Sequence, residues 1–316
     1  MRCKYILLIC FIACGLTSCH RQKKTPGGEA PGKYSLHEKM PQGLFFFTDS
    51  TWQSDDPEKR FKYGLCFNSP WEGGGTIFMH FPEHLEYNPV GNSILRHWDS
   101  IPAPWIISPD GQQASYRVES PAVKNVIVEA FARTITGGEL PTGVSGARLA
   151  MKITNNGTEI LPVVRVLLCM QYNGLKGFPG KLEHNYDHNF IVIDGKLTPL
   201  SGLITSDPET TFKGCVVKGC PQRDTRSEAR GGLIEKDMDL ALSVVTSIDG
   251  KRKVIIFWTP GKSMIANANI PCIHADPYFG TLKPGDEAYA EGMILFTEGE
   301  PAPVIKYLTG TDRKVF

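Results

Sequence analysis

Apolar residues in this chain recur mostly at every second position, in short runs closed by Gly, Pro, Asn and Asp. Ala147, Leu149, Met151 and Ile153 alternate with Arg148, Ala150 and Lys152, the period of a strand buried on one face. Gly43 to Thr48, Phe61 to Phe67, Thr76 to Phe81 and Val126 to Ile135 are rich in aromatic and β-branched residues, which suit a pleated surface. Trp105 to Ser108 and Ala114 to Val118 flank Pro109-Asp110-Gly111 and predict a hairpin. Asn155-Asn156-Gly157 leads into a long apolar run, Leu161 to Tyr172. Asp194-Gly195 follows Ile191-Val192-Ile193, and Asp249-Gly250 divides Leu240–Ile248 from Val254–Thr259. Such pairs tolerate the positive φ that tight hairpins require. Ala288 to Thr297 is the last long strand, and Pro303 to Leu308 carries a weak helical pattern.

Many strands with so little helical period predict an all-β protein: a large antiparallel β-sandwich in a single domain over residues 41–300. A tail, 301–316, would hold the short helix. Segments 69–75, 82–104, 174–189 and 220–232 read as long loops, and long loops tend to carry function.

The N-terminus adds a destination. Arg2 and Lys4 precede an apolar run from Tyr5 to Leu16, followed by Thr17, Ser18 and Cys19. That is the layout of an export signal, shorter than the roughly 20 apolar residues of a spanning helix. Leu-Thr-Ser-Cys resembles the bacterial lipobox, which implies removal of 1–18 and a lipid on Cys19. The expected protein is an exported lipoprotein, anchored at the periplasmic face or cell surface through its N-terminal lipid. Residues 19–40, polar and rich in Gly and Pro, read as a flexible tether.

Charge and cysteine usage exclude more than they assign. Lys and Arg number 34 against 33 Asp and Glu, so there is no basic concentration to hold a nucleic acid, and none is expected as a partner. Of nine cysteines, Cys3, Cys10 and Cys14 leave with the signal and Cys19 takes lipid. Cys66, Cys169, Cys215, Cys220 and Cys272 remain, an odd set. Cys215 and Cys220 are the expected disulfide in an oxidising compartment. Their spacing is not that of a structural zinc site.

Candidate chemistry gathers in three places. In Asn267–Gly285, Cys272, His274 and Asp276 occupy alternate positions, so an extended backbone points all three the same way. His274 with Asp276 could shuttle protons, the carboxylate fixing the tautomer; an Asp before Pro also commonly just caps a turn. Glu183-His184-Asn185-Tyr186-Asp187-His188 offers two imidazoles around carboxylates, for a divalent metal or acid–base work, or else is a solvated loop. His80-Phe81-Pro82-Glu83-His84 fits H-x-x-E-H, but that motif works on a helix and Pro82 interrupts one. His84 and the nearby Arg96, His97 and Trp98 stay loop candidates. Trp71, Trp98 and Trp105 lie in or beside expected loops, where an indole face can stack on a sugar ring.

Several segments together resemble a family of secreted bacterial β-sandwich lipoproteins: E-H-L-E-Y-N (83–88), I-L-R-H (94–97), N-G-L-K-G-F (173–178), V-K-G-C-P (217–221), G-G-L-I-E-K (231–236), W-T-P-G-K-S (258–263) and C-I-H-A-D-P (272–277). That resemblance implies kinship and assigns no activity. The strand–Asn-Asn-Gly–strand arrangement at 147–172 and P-G-D-E (284–287) before the last strand are similar to the galactose-mutarotase-like supersandwich of sugar epimerases and polysaccharide lyases. It implies carbohydrate as the ligand class. The N-H-x-Y-F-N segment of the epimerases is absent, so no catalytic residue is carried over.

The resulting expectation is a protein acting on carbohydrate, modifying or cleaving a glycan by His/Asp acid–base or metal-assisted chemistry. His97, His184, His188, His274 and Asp276 would be catalytic, and Arg96, Trp98, Trp71 and Tyr278 would bind substrate. No cofactor is identified beyond a divalent metal that these side chains could hold. The alternative is a non-catalytic glycan-binding or structural surface lipoprotein.

Overall fold

A computed structural model describes residues 43–48, 64–87, 92–96, 105–135, 138–180, 185–203, 212–221, 234–267 and 270–310. They belong to one compact unit, Pro41–Phe316. The strands are, in order, β1 (Phe46–Phe47), β2 (Gly64–Asn68), β3 (Thr76–Tyr87), β4 (Asn92–Arg96), β5 (Ile106–Ile107) and β6 (Gln113–Glu119). Next come β7 (Val126–Ile135), β8 (Val144–Asn155), β9 (Leu161–Gln171), β10 (Asn189–Ile193), β11 (Lys196–Pro199) and β12 (Phe212–Val216). The series closes with β13 (Ala241–Thr246), β14 (Lys253–Thr259), β15 (Gly261–Asn267), β16 (Cys272–Ile273), β17 (Asp276–Leu282) and β18 (Glu287–Thr297), followed by the helix α1 (Pro301–Thr309).

These strands form two sheets packed as an antiparallel β-sandwich. The first runs β1-β2-β3-β9-β16-β15-β12, with β4 on β3 and β17 against both β9 and β15. The second runs β11-β10-β13-β14-β18-β8-β7-β6-β5. The alternation read from β8 is seen in its pairing: Ala147, Leu149, Met151 and Ile153 enter the core between the sheets. At Asp194-Gly195 both residues take positive φ, 50° and 72°, and Ile193 pairs Lys196 across a two-residue turn. Positive φ at both central positions is what such a turn needs to match strand twist.

The two sheets use their outer faces differently. On the second sheet Val244, Ile255, Phe257 and Leu295 face outward, and α1 covers them with Val304 and Leu308, a second apolar core. On the first sheet the core takes Met79, Phe81, Leu168, Met170, Ile273 and Ala275. By strand parity their neighbours His80, Cys169, Gln171, Cys272 and His274 face the other way.

One expectation fails here. Residues 82–104 do not form a loop throughout, because β3 continues past Pro82 to Tyr87 and β4 follows it. Between His80 and His84, β3 takes four steps against two on β9, from Cys169 to Leu167. Pro82 lies inside that bulge, where its missing N–H leaves no ladder bond unmade.

Candidate functional site

Register assembles the site. In an antiparallel pair, directly opposed residues share a face. Gly64 opposes His80, His80 opposes Cys169, and Cys272 opposes Gln171. Three strands, β3, β9 and β16, thus bring their polar side chains to the outer face of the first sheet, and Gly64 on β2 adds none. His80 is 2 % exposed, Gln171 4 % and His274 5 %, so this polar wall is largely shielded.

His274 is its centre. Its Nδ1 stands 3.5 Å from Asp276 Oδ1, and its Nε2 stands 4.0 Å from Cys272 Sγ and 3.9 Å from Glu83 Oε2. Glu83 Oε1 is in turn 4.0 Å from His84 Nε2. Imidazole and carboxylate therefore alternate from His84 through Glu83 and His274 to Asp276. Asp276 is anchored: Leu168 N–H donates to Oδ1 at 3.0 Å and Ser263 Oγ donates to Oδ2 at 3.1 Å. Ser243, from the second sheet, donates to the His274 carbonyl at 2.7 Å and ties the sheets together beneath the site. Cys169, Cys272 and His274 place their ligand atoms within 4.8 Å of one another.

The electrostatics follow from this packing. Burial works against the His274 imidazolium, but the Cys169 sulfur and the Asp276 carboxylate outweigh it and hold His274 well above the ordinary imidazole value. The Cys272 sulfur and burial push Cys169 well above the usual thiol range.

The other sequence candidates lie elsewhere. His188 sits where the 3-10 turn Asn185–Asp187 meets β10 in the second sheet, its Nδ1 3.0 Å from Thr246 Oγ1. Residues 185–188 form a structural joint there: Tyr172 donates to Asn185 Oδ1, and Asn185 Nδ2 donates to the Asn267 carbonyl at 3.1 Å. Phe178, Phe296 and the Arg252 guanidinium engage the half-buried Trp71 ring. Trp105 is buried against Phe81 and Tyr116. Arg96 ends β4 opposite His84 and donates to Ser93 Oγ. Tyr278, on β17 opposite Arg165, is half-buried, and burial pushes its phenol up. His97, Trp98, His184 and Cys19 fall outside the described residues.

The expected disulfide is also corrected, since the structure forms no bridge between Cys215 and Cys220. Cys215 points into the core from β12 and its thiol donates to the Lys236 carbonyl at 2.9 Å, while Cys220 lies past the turn that Val217 begins. Sequence reading passed over Cys169, Glu83, His80 and Gln171 as site residues. The signal for Glu83 and His80 is the H-x-x-E-H pattern, which here lies on a bulged strand and not on a helix.

No family model matches the chain, and no curated protein matches it. Among solved structures it is similar to a galactose 1-epimerase from Lactobacillus acidophilus NCFM, at 11% identity and a TM-score of 0.37, over 82% of this chain and 100% of that one.

Proposed function

We propose that this is an exported, lipid-anchored enzyme that acts on carbohydrate by proton transfer at the outer face of the first sheet. The observation that carries the reading is the run His84–Glu83–His274–Asp276, built from β3, the link between β16 and β17, and β17. Glu83 is the member a ligand can reach, with 27% of its side chain exposed against 2% for His84 and 6% for His274. It is therefore the group placed to exchange a proton with substrate. The fixed carboxylate at the far end orients His274, the role a third group plays in such relays.

Of the polar groups on this face, Glu83 is open to a sugar hydroxyl, while Gln171, His80 and Glu86 are buried, Gln171 against His80 and Glu86 against Arg165. Support for the anchor comes from Leu16-Thr17-Ser18-Cys19, and support for the ligand class from the segments at 147–172 and 284–287.

The test is turnover. The full chain, extracted from membranes in detergent, is incubated with a panel of oligosaccharides, and products are read by mass and by anomeric NMR. At least one glycan should be converted, and Glu83→Gln should lower kcat by about 10²–10⁴-fold, the usual worth of a positioned acid–base group. Binding of glycans without conversion of any of them would overturn the enzyme reading in favour of a lectin-like role.

A further inference from the structure

We propose that Cys169, Cys272 and His274 form a binding site for one divalent cation of the zinc class, with Asp276 holding the imidazole and Glu83 on the open side. This goes beyond the carbohydrate reading and uses the same His274 Nε2, so an ion bound there takes the place of the proton exchange with Glu83. The two share a face of the sheet, and nothing in the cation argument uses a sugar.

Donor type comes first. Two sulfurs and one imidazole are the ligands that borderline-soft divalent cations prefer, and hard cations such as calcium take oxygen instead. Spacing comes second. A tetrahedral ion with bonds of about 2.3 Å to sulfur and about 2.0 Å to nitrogen sets its donors roughly 3.5–3.8 Å apart. Cys272 Sγ and His274 Nε2 are 4.0 Å apart, and no pair in the trio exceeds 4.8 Å. Closing on an ion takes shifts of under an ångström, within reach of χ rotations.

Orientation is the third point. Nε2 lies 4.0 Å from the Cys272 sulfur and Nδ1 lies 3.5 Å from Asp276 Oδ1, so an ion that displaces the Nε2 proton leaves the Nδ1 proton facing the carboxylate. A carboxylate behind a ligating histidine is the recurrent outer partner of metal sites. Asp276 is itself pinned by Leu168 and Ser263, which gives the ring little freedom to turn. Buried cysteines alone would mean little, since cysteine is among the most buried residue types. Cys66 and Cys215 are buried in that ordinary way. What sets Cys169 and Cys272 apart is that β9 and β16 aim them at the same imidazole. Three protein ligands leave a fourth position, and Glu83 Oε2, 3.9 Å from Nε2, stands beside it. An open fourth position distinguishes working zinc sites from closed structural ones.

The test uses Co²⁺ as the probe, added to the full chain after reduction and metal removal under anaerobic conditions. One Co²⁺ per chain should bind with a thiolate-to-cobalt charge-transfer band and the d–d spectrum of a tetrahedral ion, and Zn²⁺ should displace it. Cys169→Ser and Cys272→Ser should each remove the band. Asp276→Asn should keep it and weaken affinity about 10–100-fold. A second measurement needs no variant: Zn²⁺ should slow alkylation of Cys169 and Cys272, read by mass spectrometry, and leave Cys66 and Cys215 unchanged. The proposal is overturned by a reduced, folded chain that gives no charge-transfer band. A band that survives both serine changes overturns it as well. So does a Cys169–Cys272 disulfide in chain extracted without reductant that Zn²⁺ loading does not prevent.

Discussion

Asp276 accepts two hydrogen bonds before it meets His274, and it is fully buried. Exchanging it for Asn presents an NH₂ where one of two donors now points. Asp276→Asn should therefore cost about 1–3 kcal/mol of stability in a urea melt, the worth of a buried polar group left unmatched; a loss within error would mean the carboxylate is not held as described. A surface carboxylate gives a pH test. Burial raises the Asp239 carboxyl, but hydrogen bonds from Lys218 at 2.8 Å and the Gly195 N–H at 2.7 Å outweigh it and hold it below its ordinary value. A depressed carboxyl contributes stability above its unfolded pKa and loses it as pH falls through the folded one. Asp239→Asn should cost about 0.5–1 kcal/mol at neutral pH, and the gap to wild type should close below the carboxylate range. At this scale the sequence was partly legible. Alternation along one strand is local, so the common face of Cys272, His274 and Asp276 could be read directly. Cys169 and Glu83 could not, because their place depends on register between strands far apart in sequence.

Elements carry the register, and glycine makes some of the closest approaches possible. A Cβ on Gly146 would sit 2.0 Å from the Ile294 carbonyl oxygen across the β8–β18 pair. Backbone must move to admit it, so Gly146→Ala should cost about 1–3 kcal/mol as an overpacking change. Gly177→Ala, where a Cβ meets nothing but φ is +81°, should cost about 1 kcal/mol through conformation alone. Comparison of the two melts separates steric crowding from backbone strain. The same scale explains the misread stretch at 82–104. Proline signals the end of a regular ladder, and from sequence alone an ended strand and a bulged one look alike. The bulge between His80 and His84 kept both histidines on the outer face and left Glu83 within reach of His274. That arrangement needs β9 in view.

For the whole molecule, the division of labour between the outer faces is the organising fact. Apolar residues on the second sheet are sealed by α1, and the first sheet keeps its polar wall. Leu308→Ala, at the buried end of that helix, should lose about 2–5 kcal/mol while the folded fraction keeps its activity, since α1 takes no part in the site. Fold class was legible because it follows from period and turn chemistry repeated along the chain. The site was legible in one segment out of several, because loops rich in histidine and tryptophan look functional whether or not they pack as joints. The most direct measurement of the account compares two histidine changes on the glycan that wild type converts. His274→Gln should lower kcat/KM by at least about 10²-fold, and His188→Gln, at the Thr246 joint, should stay within about twofold of wild type. Equal losses in the two variants, or a loss confined to His188→Gln, would contradict it.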